Sequence, residues 1–223
     1  MTMRHHFSAA LCAAALGAAS MMPGARAAEL VLTLGDGTRP VADAVASLHA
    51  DAREAPGATA VMDQRDSTFV PGVLPVQVGT AVSFPNSDQV QHQVYSFSTP
   101  KPFELPLYAG TPRAPILFDQ PGVVVVGCNI HDWMIGYIVV LDTPHFGKSG
   151  AGGEVRVKAP PGRYTLRVWH PRLDAPVERP LELGEGRATL AMTLALGPPP
   201  PDRRSSDRLR ALQDRLRSLR RED

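Results

Sequence analysis

An all-β fold is what this sequence predicts, and three observations carry the prediction. Its 22 prolines and 19 glycines fall between short apolar runs, which is the punctuation of strands and turns. No segment between Ala28 and Leu196 repeats apolar residues at a helical period. Turn dipeptides recur at Asp36-Gly37, Pro71-Gly72, Pro121-Gly122 and Pro161-Gly162. The strands between them are short and are expected to pair as antiparallel sandwiches.

Residues 1–27 stand apart from that fold. Arg4, His5 and His6 make a basic start, Phe7 to Ser20 an alanine-rich apolar core, and Ala25-Arg26-Ala27 a small-x-small cleavage site. This is the layout of a secretory signal peptide, with cleavage expected after Ala27. The apolar core is shorter than the roughly 20 residues a membrane span needs, and no later segment is apolar enough to span a bilayer. Cys12 sits inside that core and makes a poor lipoprotein acylation site. Export to the periplasm is therefore expected. Losing Arg4 and Arg26 takes the formal charge from +1 to about −1, which leaves no electrostatic footprint for nucleic acid.

In the mature chain, strands are expected at Leu30–Thr33, Ala44–Leu48, Leu74–Val78, Ala81–Phe84, Gln93–Phe97, Phe103–Leu107 and Val123–Gly127. Further strands are expected at Gly136–Leu141, Glu154–Lys158, Arg163–Trp169 and Ala188–Leu194. Residues 60–144 have the size of one conventional sandwich. Residues 28–59 and 145–197 are each too short to bury a core alone, so they are expected to pack together as an accessory sandwich with 60–144 inserted between them. The glycine-rich run Gly147 to Gly153 is the expected hinge. Residues 198–223 form a tail. Its prolines make a stiff spacer, and Leu209, Leu212, Leu216 and Leu219 lie on one face of an arginine-rich helix over 205–221. That helix suits self-association or docking, or it is a solvated tail; barely two heptads do not separate these.

The chemistry concentrates in Gly127-Cys-Asn-Ile-His-Asp-Trp-Met134, where the spacing is Cys128-x2-His131-x2-Met134. Once Cys12 is removed, Cys128 is the one cysteine left of two, so no internal disulfide is open to it. A buried cysteine packing as a small hydrophobe is the plain alternative. With His131 and Met134 beside it, metal ligation is the better account. Thiolate, imidazole and a weakly bound thioether are the ligand types of a blue-copper site, which needs one more histidine. His92 lies upstream, in the run from Phe84 to Tyr95. His92, His131 and Cys128 would form a trigonal plane, with Met134 as the long axial ligand to one type 1 copper ion.

These residues resemble the cupredoxins, most of all the amicyanin-like members, whose copper loop has the same Cys-x2-His-x2-Met spacing. Phe84-Pro-Asn86, His92 and Val94 match the upstream pattern, and Phe69-x-Pro71 with Val76, Val78 and Gly79 resembles the first strands. The likeness covers about 85 residues, and its four-ligand pattern is specific. The whole chain also resembles a group of secreted proteins commonly labelled methylamine utilisation proteins. The resemblance implies a cupredoxin-like Greek-key β-sandwich, copper on His92, Cys128, His131 and Met134, and Asn86 behind the ligands, tying the two ligand-bearing loops together. It also implies electron exchange with a redox protein partner through the edge of His131, near Trp133 and Ile135. Asp132 stands where proline is usual, and Gln93 where asparagine is usual. The flanks resemble prealbumin-like or carboxypeptidase-regulatory modules.

The expected function is single-electron transfer without catalysis, because protein ligands fill every coordination position. Two other readings stay open: a periplasmic copper carrier or sensor, and a metal-free secreted binding module. Enzyme readings fare worse. A c-type haem and a thioredoxin-like site each need a second cysteine, and a reactive Cys128–His131 pair would be vulnerable to oxidation outside the cytoplasm. Zinc would find Met134 a poor fourth ligand. A carboxylate such as Asp132 replacing Met134 remains a variant of the copper site. Asp51, Glu54 and Asp66 read as solvated, His49 as surface, His145 as a turn residue, and His170 as a strand-end residue.

Overall fold

The computed structural model describes residues 28–50, 58–112 and 114–200. The signal-peptide and tail-helix expectations lie outside them, as do Asp51 and Glu54. Among the described residues the fold is all-β and contains no helix.

Alternation of burial along each strand explains why the sequence settles into layers. In β14 (Glu154–Ala159) every second residue is buried, Val155 and Val157 inward and Glu154 and Arg156 outward. That strand pairs antiparallel with β1 (Ala28–Gly35), whose other edge pairs in parallel with β17 (Arg187–Thr193). A facing sheet runs β13 (Phe146–Lys148), β2 (Val45–His49), β15 (Gly162–Trp169) and β16 (Val177–Leu183). Leu30, Leu32, Leu34, Leu48, Val157, Leu166 and Val168 fill the space between the two sheets. Each such side chain is worth roughly 1.5–3 kcal/mol of burial.

The chain between β2 and β13 builds a second sandwich. Its larger sheet has the order β6 (Val73–Gln77), β12 (His131–Leu141), β11 (Gly122–Cys128), β8 (His92–Ser96) and β9 (Phe103–Tyr108). The smaller has the order β10 (Ile116–Phe118), β7 (Thr80–Ser83) and β3 (Thr59–Val61). A short hairpin, β4 (Asp63–Arg65) with β5 (Thr68–Val70), crosses beside them. Met62, Phe84, Val94, Phe118, Val124, Val126, Ile138 and Val140 form this core. A third small cluster joins the two sandwiches: Val45, Val73, Val139 and Leu141 pack beneath Tyr137 and Trp169, whose ring centroids are 5.6 Å apart.

Each strand expected from the sequence is present, although β12 begins five residues before the expected Gly136. The segment expected as a hinge is otherwise. Its first residues form β13, paired to β2. Ser149 is buried, accepting from the Ala44 N–H and donating to the Val41 carbonyl. Gly153, at φ 75°, has the Leu34 carbonyl standing where a Cβ would need to be, so no side chain fits there.

Candidate metal centre

Strand period delivers two of the proposed ligands to one face. Along β11 the residues facing the core are Val124, Val126 and Cys128; along β8 they are His92, Val94 and Ser96. Both strands lie in the same sheet, with Gly127 opposite Tyr95, so Cys128 and His92 reach the same end of the sandwich. Gly127 itself faces outward beneath the Tyr95 ring, where a Cβ would sit 3.1 Å from the ring carbon bearing the hydroxyl.

The remaining two come from a break in register. Gly127 is opposite Ile135, yet Cys128 is opposite His131. Asp132, Trp133 and Met134 are therefore extra residues on the return strand, a bulge that bends β12 over the end of the sandwich. The bulge turns His131 towards Cys128 while Met134 stays fully buried, in the same core cluster as Cys128. Asp132 is exposed, and its carboxylate does not join the His92, Cys128 and His131 donor atoms.

Cys128 Sγ lies 3.8 Å from Nδ1 of His92 and 3.8 Å from Nδ1 of His131. All three donor atoms fall within 4.8 Å of one another. A metal bound in a trigonal plane, with arms of about 2.05 Å to nitrogen and 2.3 Å to sulfur, would hold such atoms about 3.8 Å apart. The donor set, one soft sulfur and two imidazoles, is the kind that suits copper. Cys128 is 2 % exposed and His92 0 %; His131 is only half-buried. Burial, and then the neighbouring His92, push His131 below the ordinary histidine value, so near neutral pH the ring is uncharged and keeps one nitrogen lone pair. The His92 and His131 rings are 4.9 Å apart, and Trp133 stands 5.1 Å from His131.

Asn86 bonds differently from its expected role. Its amide donates to the carbonyls of Val90 and Tyr108, and its oxygen accepts the Asp88 N–H. It ties the His92 loop to β9 rather than to the Cys128 loop. Two partners of the site were not foreseen from the sequence. The Asp88 carboxylate lies 2.7 Å from His92 Nε2, and Tyr108, pushed up to about 12 by burial, donates to the Phe84 carbonyl behind the site. An acidic residue four positions before a suspected ligand was the available signal for the first.

The other histidines lie elsewhere. His145 Nδ1 contacts the Lys158 carbonyl, and His170 Nδ1 accepts the Arg172 N–H, both in the flanking sandwich. His49 is not a surface residue: its Nδ1 lies 3.0 Å from Asp142 and its Nε2 2.8 Å from Ser47 Oγ. This row lines a cleft of about 300 Å³ between the sandwiches, with Val139 and Trp169. Its order is that of a hydrolytic relay. However, Ser47 is 1 % exposed in the middle of a sheet, with β13 and β15 engaging its backbone on both sides. That backbone is committed to the ladder and makes no oxyanion hole; the row is a tie between the two sandwiches.

No family model matches the chain, and no curated protein does. Solved structures similar to this chain include a copper-containing nitrite reductase, a purple cupredoxin and an amicyanin. The Cu-containing nitrite reductase of Thermus scotoductus is 28 % identical over 44 % of this chain and 25 % of its own, at a TM-score of 0.36. A purple cupredoxin from Nitrosopumilus maritimus is 26 % identical over 38 % of this chain and 99 % of its own, at 0.33. A reduced Cu(I) amicyanin variant is 22 % identical over 43 % and 98 %, at 0.34. The chain thus spans a quarter of the nitrite reductase and nearly all of the two small proteins.

Proposed function

We propose that this chain is an exported, periplasmic copper protein that carries single electrons between redox partners and is not itself an enzyme. One type 1 copper ion would be held by His92, Cys128, His131 and Met134. The observation that carries this reading is the placing of a buried Cys128 sulfur 3.8 Å from two imidazole Nδ1 atoms. Copper bound there supplies a one-electron couple.

The chain's own residues do the rest. β11 and β8 hold Cys128 and His92 in a close-packed sheet, so the donor atoms move little when the charge of the site changes. Met134, buried in the core, keeps water from that side. His131 is the least buried of the three donors, and Ile130 and Ile135, 52 % and 48 % exposed, flank it in the chain as apolar residues. A partner that displaces water from these residues would meet the imidazole directly. The partner remains a redox protein of unassigned identity. Residues 60–144 act in this reading as the copper-bearing unit, and residues 28–59 and 145–197 as the accessory sandwich around it.

The test is the visible and EPR spectrum of the mature chain from Ala28, loaded with Cu(II), beside Cys128→Ser. An intense blue band with narrow copper hyperfine splitting, absent from the variant, is the expected result. Loss of both colour and stoichiometric copper in the unsubstituted protein would overturn the reading in favour of a metal-free β-sandwich module.

A further inference from the structure

The turn between β4 and β5 is conformationally costly. Arg65 is opposite Thr68 in the hairpin, so Asp66 and Ser67 form a two-residue connection. Both are left-handed, at φ 51° and 52°. Such turns normally employ asparagine and glycine; a serine in this region is held there against its own backbone preference. The conformation has a visible product. The Asp66 N–H donates to Asp88 Oδ1 at 2.6 Å, and the Ser67 N–H to Asp88 Oδ2 at 2.9 Å. Two successive backbone donors on one carboxylate make a small anion cradle.

The cradle is stitched to the site from several directions. The Gln64 N–H donates to the Pro85 carbonyl, and the Ser87 N–H to the Gln64 carbonyl. The Ser87 hydroxyl donates to Asp63, which also pairs with Arg65. On the far strand of the hairpin, Phe69 packs on Gly136, two residues past Met134. The hairpin therefore touches both the His92 loop and the Met134 strand. Asp88 Oδ2, held by the Ser67 N–H, faces His92 Nε2 at 2.7 Å, while Nδ1 of the same ring faces Cys128.

We infer that Asp88, clamped by the Asp66–Ser67 turn, is the positioning residue of the metal centre: it keeps the His92 proton on Nε2, fixes the ring, and adds negative charge that favours the higher oxidation state of the bound ion. This inference rests on the copper reading. A carboxylate behind a ligating imidazole fixes its tautomer and raises its basicity, and loss of such a partner typically weakens metal binding about 10–100-fold. A more basic donor and a nearby negative charge stabilise Cu(II) more than Cu(I). Removing the charge then raises the potential, by about 59 mV for each tenfold loss of Cu(II) affinity that Cu(I) does not share.

The experiment compares the copper-loaded full mature chain with Asp88→Asn and Asp88→Glu. Asparagine keeps an acceptor for His92 and removes the charge; glutamate keeps the charge on a longer arm. Copper affinity is read by chelator competition and potential by redox titration, with the thermal midpoint of each apoprotein as the folding control. We expect Asp88→Asn to fold, to bind Cu(II) at least tenfold more weakly and to show a raised potential, with Asp88→Glu recovering part of both. A blue unsubstituted protein beside an Asp88→Asn variant with affinity within threefold and an unchanged potential overturns the inference and leaves the copper reading standing. If Asp88→Asn does not fold, an unchanged potential in Asp88→Glu overturns it equally, because the added methylene must shift the carboxylate from His92. A colourless unsubstituted protein overturns the copper reading itself.

Discussion

Phe69 lies on Gly136 so closely that a Cβ added to the glycine would stand 3.0 Å from the Phe69 Cβ and 3.1 Å from its ring. The contact explains the absence of a side chain on the buried face of β12 just past Met134. Gly136→Ala should destabilise the protein by about 1–3 kcal/mol through overpacking. The drop in the urea midpoint measures this. A neutral outcome would mean that β5 is free to lift from β12.

Met134 is buried in the core and is also the proposed axial ligand. Met134→Leu conserves volume and should cost under about 1.5 kcal/mol. The same variant should retain copper but shift the blue band and raise the potential, because a weak donor to Cu(II) is gone. Unaltered spectra together with an unaltered potential would show that Met134 only packs.

The Trp133 indole N–H is buried and has no hydrogen-bond partner among the described residues. An orphaned donor of this kind costs about 1–3 kcal/mol, so Trp133→Phe should lose less stability than its lost ring area implies. Thermal unfolding of the apoprotein within about 1 kcal/mol of the unsubstituted chain is expected. A loss of several kcal/mol would reveal a partner for that N–H.

Among the described residues, three histidines lie below their ordinary value of 6.5. His49 is lowered by burial first and by Arg167 second; His170 by burial and then Arg172; His131 by burial and then His92. A histidine lowered on folding binds its proton more tightly in the unfolded chain. Its contribution is complete above pH 6.5 and is lost as the pH falls through the folded value. The apoprotein should therefore have a lower urea midpoint at pH 5.5 than at pH 7.5, and His49→Gln should reduce that difference. A second loss is expected only in stronger acid. Burial pushes Asp63 and Asp88 up, but hydrogen bonds outweigh it and hold both below 3.8: Arg65, Ser87 and Gln64 on Asp63, and Ser67, His92 and Asp66 on Asp88.

The candidate site was legible where its determinants are local. Cys128, His131 and Met134 lie within seven residues, and a two-residue period is enough to set Cys128 on the face shared by Val124 and Val126. Asp88 was not legible in the same way. Its sequence context, Asn86-Ser87-Asp88, reads as an ordinary loop, and what orients its carboxylate is a turn 21 and 22 residues earlier in the chain. Asp66, expected to be solvated, has an exposed side chain, but its backbone N–H does the work. His49 was misjudged for a related reason, since Asp142 meets it only after both sandwiches are built. The missed strands are those too short or too interrupted for a period to show: β3, β4, β5, β10 and β13 have three residues each, and β16 carries Pro180 and three charged residues at a sheet edge.

The pairing of β1 and β2 also bears on the order in which this protein comes together. Among the described strands, β1 pairs with β14 and β17, and β2 with β13 and β15, all of them made later than β1 and β2. Ala44 waits 105 residues for Ser149, which at about 5–20 residues per second is roughly 5–20 s of synthesis. All strands of the inner sandwich, and all four proposed ligands, are complete by Leu141. The inner sandwich can thus reach its own core from contiguous chain, while the outer one depends on long-range pairings that are intrinsically slow. A chain cut short after Leu141 would carry a finished inner sandwich and two apolar strands with nothing to cover them, the kind of exposed surface that quality control recognises.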